Sequence, residues 1–255
     1  MTASQPLSCC LIGSESLLIQ CGEVLLSEGH EIWAVGSPTA FVREWAERKG
    51  LAHFDSHEAP TVLARKSFDY LFSIANLMVL PDAVINLPAK GAINFHDGLL
   101  PGYAGLNTPV WALLNGEKTH GVTWHVMESK VAAGDILKER LIEIGEDETA
   151  LTLNAKCYEA AIESFRELID ELAKNQTVRK KQCTEGRRYF AKKKRPSGAC
   201  VVCWDQEAEA IVAFMRALDF GPYANPLGLA KLLHGNDIVS VHLCDQAMRQ
   251  CACTV

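Results

Sequence analysis

Short apolar runs at 8–13, 31–36, 69–74 and 92–95 alternate with amphipathic stretches through the first hundred residues, which restricts this part of the chain to βαβ units and a parallel sheet. Between the first two runs, 16–27 reads as a helix with Leu17, Leu18, Cys21, Val24 and Leu25 on one face. A second helix at 40–49 is expected to turn Phe41, Trp45 and Ala46 inward. A third, at 81–87, opens on a proline, where a missing N–H costs little. Farther along, 148–174 repeats Tyr158, Ala161, Ile162, Phe165, Leu168, Ile169 and Leu172 at helical spacing, a packing face to which no chemistry is assigned. With 255 residues, 48% apolar and 22% charged, the chain can bury the core of one medium domain and a smaller one. The expected fold class is therefore α/β: a doubly wound, mostly parallel sheet over 1–175, a basic linker over 176–198, and a smaller α+β or barrel-like unit over 199–255. That last unit is read as strands at 199–204 and 237–243 around a helix at 208–218.

Several function classes are disfavoured by what the chain lacks. Its first βα turn, Leu11-Ile-Gly-Ser-Glu-Ser-Leu17, has one glycine where a dinucleotide site needs G-x-G-x-x-G, and no Walker A loop occurs. No apolar stretch reaches the ~18 to 20 residues of a bilayer span, and residues 1–11 do not read as a signal peptide. Free thiols in a reducing cytoplasm best suit the ten cysteines, and Cys200-Val-Val-Cys203 lacks the second pair a zinc knuckle needs, so no metal is expected. Net charge is -6, but 179–195 concentrates nine basic residues against one acid, Glu185. Such a stretch is either a solvated connector or a patch that steers a phosphorylated partner.

Chemistry is concentrated in Gly91-Ala-Ile-Asn-Phe-His-Asp-Gly-Leu-Leu-Pro-Gly-Tyr-Ala-Gly105. In an extended strand residues i and i+2 face the same way, so the Asn94 amide and the His96 imidazole would project side by side. An amide can donate to a developing oxyanion and an imidazole can move a proton, which together make half of an acyl-transfer site. A hydrogen-bonded turn is the competing reading of the same pair.

Downstream follow Thr108-Pro-Val-Trp-Ala-Leu-Leu-Asn-Gly116, Gly121-Val-Thr-Trp-His-Val-Met127 and Val131-Ala-Ala-Gly-Asp-Ile-Leu137. In this order and spacing the chain resembles the folate-dependent formyltransferases over about residues 8 to 245. The phrasing of Phe68–Asn76, Tyr103–Asn107, Thr152–Ala161 and Ala217–Gly228 resembles most the formyltransferase domains that open nonribosomal peptide and polyketide synthetases. The resemblance implies 10-formyltetrahydrofolate as co-substrate. It implies that backbone of Phe72, Ile74, Asn76, Leu77, Met78, Val79 and Leu80, and of Val131, Ala133, Gly134 and Asp135, holds the pterin at the carboxyl ends of the strands. Leu100, Gly102, Tyr103, Asn107 and His125 are expected on the acceptor side. The first-choice acceptor is an aminoacyl group on a carrier protein, and the others are an amino-sugar nucleotide, an aminoacyl-tRNA, or water with release of formate.

Two positions depart from the pattern. Where the family carries an Asp that orients the imidazole and favours its protonated form, this chain has Ala132. A natural loss of catalysis and a substitution introduced to trap a bound state both account for it; the intact pattern around it favours the second. Either way turnover is expected to be low, Asp135 is expected to point elsewhere, and a non-catalytic folate-binding domain is the reading of a different class. Gly102 stands where a basic residue is common, which removes one contact to an anionic group.

Overall fold

The computed structural model describes residues 5–130, 132–183, 185–235 and 237–241. Its first unit runs β1 (Ser8–Gly13), α1 (Ser16–Ser27), β2 (Glu31–Gly36), α2 (Ala40–Arg48), β3 (Ala52–Phe54), α3 (Ala59–Leu63), β4 (Tyr70–Ile74), α4 (Asp82–Ile85) and β5 (Gly91–His96). A two-residue β6 (Ala104–Gly105), α5 (Thr108–Leu114), β7 (Thr119–Val126), β8 (Ile136–Glu143) and the 24-residue α6 (Ala150–Ala173) complete it. Seven strands form one sheet in the order β3-β2-β1-β4-β5-β7-β8, parallel through β5 and antiparallel for β7 and β8. This is the expected α/β class with a mostly parallel sheet.

Alternation along β1 explains the two cores. Cys9 and Leu11 face the layer of α1, α2 and α6, while Cys10 and Ile12 face α3 and α4. On the α6 side, Phe165 takes Phe72 edge-on at 5.2 Å and Trp124 at 4.8 Å, and the Trp124 indole N–H donates to Ser164 Oγ at 3.1 Å. Thr149 caps α6 by accepting from the Thr152 amide, while the Thr152 hydroxyl accepts from the Thr149 amide. The inward face of α2 is Val42, Trp45 and Ala46, an i, i+3, i+4 set; Phe41, expected inward, lies one position off that face and is 43% exposed. In α4 the proline at 81 is the N-cap, and the helix is a single turn.

The smaller unit departs further from expectation. It comprises β9 (Tyr189–Phe190), α7 (Ala208–Ala217), and a hairpin of β10 (Ala230–His234) and β11 (Asp237–Val241). Residues 242 and 243, expected to continue the last strand, lie outside the described residues. No strand forms at 199–204: Gly198, Ala199 and Cys200 all have positive φ in a 3-10 turn, so the chain cannot extend, and only Val201 bridges to Lys231. Cys200 is buried with its thiol donating to the Leu227 carbonyl, while Cys203 is exposed. A third core joins Tyr103, Val110, Trp111, Phe190, Cys200, Ala217, Leu218 and Leu227, tying the small unit to α5. No helix among the described residues is long and apolar enough to cross a membrane.

Candidate active site

Asn94 and His96 end β5 beside β7, in register with His125 and Thr123. The Asn94 Nδ2 group donates to the Phe95 carbonyl at 2.7 Å and lies 3.3 Å from His125 Nε2. His125 Nδ1 sits 2.8 Å from the Val126 carbonyl, which can only accept, so Nδ1 carries the proton and Nε2 receives the amide hydrogen. Burial drives the His125 imidazole down to about 4 from 6.5, which keeps this tautomer neutral. Its role is to hold the Asn94 amide.

His96 is buried at 7% exposure and is fixed from the other side. Its Nε2 lies 2.6 Å from the Tyr103 carbonyl, so Nε2 carries a proton and donates it there. The loop from Asp97 to Asn107 makes this possible by turning back on itself through a cis Leu100–Pro101 bond. At Gly98 a Cβ would stand 2.6 Å from the Tyr103 carbonyl oxygen, 2.9 Å from Thr108 Oγ1 and 3.0 Å from His96 Nε2, so glycine is what lets the loop close on the imidazole. The Asp97 carbonyl accepts from Thr108 Oγ1 at 2.5 Å and from His120 Nε2 at 2.8 Å, and Thr123 Oγ1 donates to the Gly98 carbonyl at 2.7 Å.

The outer end of Tyr103 is held by the basic connector. Its hydroxyl donates to Glu117 at 2.6 Å and accepts from the Asn115 amide at 3.0 Å. Arg188 lies over the Tyr103 ring at 4.3 Å and donates to Glu117 and to the Gly102 carbonyl. That phenol and then Arg188 hold the Glu117 carboxyl below its usual range, and burial raises the phenol. Tyr189–Phe190 pairs in parallel with Ala104–Gly105, Lys180 bridges Ile136, and Lys194 lies over Phe190 and Trp111. The described residues of 176–198 are mostly exposed, and at these points they touch the site loops.

Ala132 is buried at 9% with Leu100, Ala104 and Ile136, and its carbonyl accepts from Arg187 Nη1 at 2.8 Å. Its φ is 50°, a left-handed conformation in which Asp is several-fold more frequent than alanine.

Residues 39–169 match the family model described as formyl transferase. The chain belongs to that family. It is 32% identical over 156 residues to the bifunctional polymyxin resistance protein ArnA of Wigglesworthia glossinidia brevipalpis, covering 61% of this chain and 24% of that one. It is 33% identical over 156 residues to the methionyl-tRNA formyltransferase of Citrifermentans bemidjiense, covering 61% and 48%. The chain therefore spans about half the length of that relative and about a quarter of ArnA. The crystal structure of a 4-N formyltransferase from Francisella tularensis superposes with a TM-score of 0.75 at 21% identity, over 93% of this chain and 97% of that chain. An N-formyltransferase from Helicobacter canadensis, solved with folinic acid and dTDP-3-aminofucose, gives 0.73 at 19% identity over 82% and 79%. At these identities the likeness is one of fold.

Against this formyl transferase fold, the sequence-predicted positions divide. Phe72 and Ile74 have no exposed surface, and Phe72 sits mid-sheet between Leu11 and Ile93 with its side chain in the core. Leu80 is likewise buried, in the α3–α4 core. Asn76 folds the following loop, its side chain bonding the Met78 amide and carbonyl at 3.1 and 3.0 Å, and Leu77 and Val79 are left 70% and 72% exposed. In the other loop, Ala133 and Asp135 are half-buried and the Asp135 carbonyl accepts from the Val126 amide; Val131 lies outside the described residues. A Cβ at Gly134 would meet the Val126 carbonyl at 2.1 Å, so only glycine passes there. Leu100 and Tyr103 are buried, Asn107 enters α5 with φ 56°, and a Cβ at Gly102 would meet the Leu99 carbonyl at an ordinary 3.7 Å. Sequence reasoning missed Asp97, Thr108, His120 and Arg188, because their partners are carbonyls and rings that only loop closure brings near. A cavity of about 440 Å³ at the foot of the sheet is lined by Ile93 and Val126, chain neighbours of Asn94 and His125, with Tyr70, Lys90, Thr177 and Arg179.

Proposed function

We propose that this domain transfers the formyl group of 10-formyltetrahydrofolate to an acceptor amine. The observation that carries the reading is the pair at the end of β5: Asn94 and His96 side by side, each locked by a buried partner, in a member of the formyl transferase family. Exposed Leu77 and Val79 offer apolar surface that a pterin ring would cover, and the folded-back 132–135 loop offers backbone polar groups.

In the reaction, the acceptor nitrogen bonds to the formyl carbon and the bond from that carbon to N10 of the folate breaks. Asn94 donates to the oxygen that gains charge, which requires one amide hydrogen to leave the Phe95 carbonyl. His96 passes the proton lost by the amine to N10. Because Nε2 is committed to Tyr103, Nδ1 is the nitrogen that carries it.

The acceptor we favour is an aminoacyl unit tethered to a carrier protein, on the strength of the synthetase-like motifs and of the basic segment packed beside the site, which suits the phosphate of a phosphopantetheine arm. An amino-sugar nucleotide is the second reading, since the Helicobacter canadensis relative is described with one and its diphosphate would suit the same basic residues. With Ala132 in place of the family carboxylate, turnover is slow.

The test is 10-formyltetrahydrofolate binding and formyl transfer by this chain and by Ala132→Asp, with an aminoacyl carrier protein and an amino-sugar nucleotide as acceptors. Binding by both, with turnover raised ~100-fold or more in the variant, is the expected result. Binding without turnover in either would mark a folate-binding domain, and no binding would overturn the assignment.

A further inference from the structure

We propose that Asp97 is the positioning residue for His96 in this chain, supplying from the next position along the backbone the carboxylate that is missing at 132. The inference rests on the formyl-transfer reading above and names a residue that reading does not use. Asp97 Oδ1 stands 3.7 Å from His96 Nδ1, too long for a hydrogen bond and close enough for a charge contact. No other ion pair or hydrogen bond of the Asp97 carboxylate is found among the described residues, whereas both other sides of the imidazole are occupied: Nε2 by the Tyr103 carbonyl and one ring edge by the neutral His125, 6.5 Å away. The nitrogen left for proton transfer is therefore the one that faces Asp97.

The fold holds Asp97 in that position. Two buried side chains, Thr108 and His120, donate to its carbonyl from α5 and β7, so the peptide carrying the carboxylate is fixed from two elements. His120 spends its Nε2 hydrogen on this contact while its Nδ1, also buried, finds no partner among the described residues; the clamp is kept at the cost of an unsatisfied polar atom. Gly98 then admits the return of Tyr103 against His96. A carboxylate held so close, in a partly shielded position with 31% of its side chain exposed, restrains the ring and sets the direction in which Nδ1 points.

The experiment is a double-mutant cycle on the full chain. Asp97→Asn is made alone and with Ala132→Asp, and kcat and KM for 10-formyltetrahydrofolate are measured against one acceptor. Asp97→Asn is expected to lower kcat ~10- to 100-fold in the Ala132 chain with KM within about twofold, and to cost less than ~3-fold once Asp occupies 132. Asp97→Glu should restore part of the loss. Equal losses in both backgrounds would show a merely structural role and overturn the proposal. A second readout is independent of turnover: long-range ¹H–¹⁵N spectra of the His96 ring at fixed pH. A change at Nδ1 on Asp97→Asn, with the Nε2 resonance of the Tyr103 bond retained, supports the proposal. An unchanged ring refutes it, even if no variant transfers formyl and the formyl-transfer reading itself fails.

Discussion

Replacing Gly98 by alanine tests the geometry of the site with one methyl group. The added Cβ would stand 2.6 Å from the Tyr103 carbonyl oxygen, 2.9 Å from Thr108 Oγ1 and 3.0 Å from His96 Nε2, and the first of these is backbone that can give way only if the loop itself shifts. Gly98 is not among the residues with positive φ, so alanine meets no conformational penalty and the effect isolates the contact. Overpacking of this kind costs about 1–3 kcal/mol. Pushing the Tyr103 carbonyl away also strips the buried His96 N–H of its acceptor, worth about 1–3 kcal/mol more. We expect Gly98→Ala to lose about 2–6 kcal/mol in urea unfolding. In the Ala132→Asp background it should also lower kcat ~100-fold or more, the usual effect of a displaced proton carrier. Stability within about 0.5 kcal/mol of the parent together with kcat within twofold would refute the claim that loop closure on His96 depends on this glycine.

Other consequences of the structure can be checked separately. Phe165→Ala removes the ring on which Phe72 and Trp124 pack and should cost about 3–5 kcal/mol by chemical denaturation. His125 is neutral when folded because burial holds its pKa near 4, below the 6.5 of an unfolded histidine. It therefore contributes stability that is complete above pH 6.5 and is lost as pH falls toward about 4. His125→Gln should flatten unfolding free energy across that window relative to the parent, and an unchanged pH profile would count against a buried neutral imidazole. Leu77→Ser and Val79→Ser should each weaken 10-formyltetrahydrofolate binding ~10-fold in a direct titration with little effect on unfolding, since both side chains are exposed in the free protein.

Much of the architecture was legible in local pattern. The continuous apolar run of β1, buried at every position after Ser8, and the one-sided apolar face of α1 follow from apolar spacing alone, and each appears at the expected residues. Phe41 shows the limit of that reasoning, because a helix one residue out of phase exposes a side chain that composition would bury. The 199–204 segment shows another: its apolar run reads as a strand, and the three positive-φ residues that forbid one have no strong local signature.

In the candidate site the division has a clear cause. The sequence by itself determined that Asn94 and His96 lie on one face of a strand end, that position 132 is an alanine, and that basic residues cluster after α6. Those are matters of residue identity and of a backbone repeat of two. Tertiary structure decided which acceptor takes each hydrogen: the Tyr103 carbonyl from His96, the Val126 carbonyl from His125, and the Asp97 carbonyl from Thr108 and His120. It also decided that the basic segment lies along the site loops. These contacts join residues up to 86 positions apart and involve backbone groups common to every residue type, so no pattern of side chains announces them; they exist only once the loop has closed.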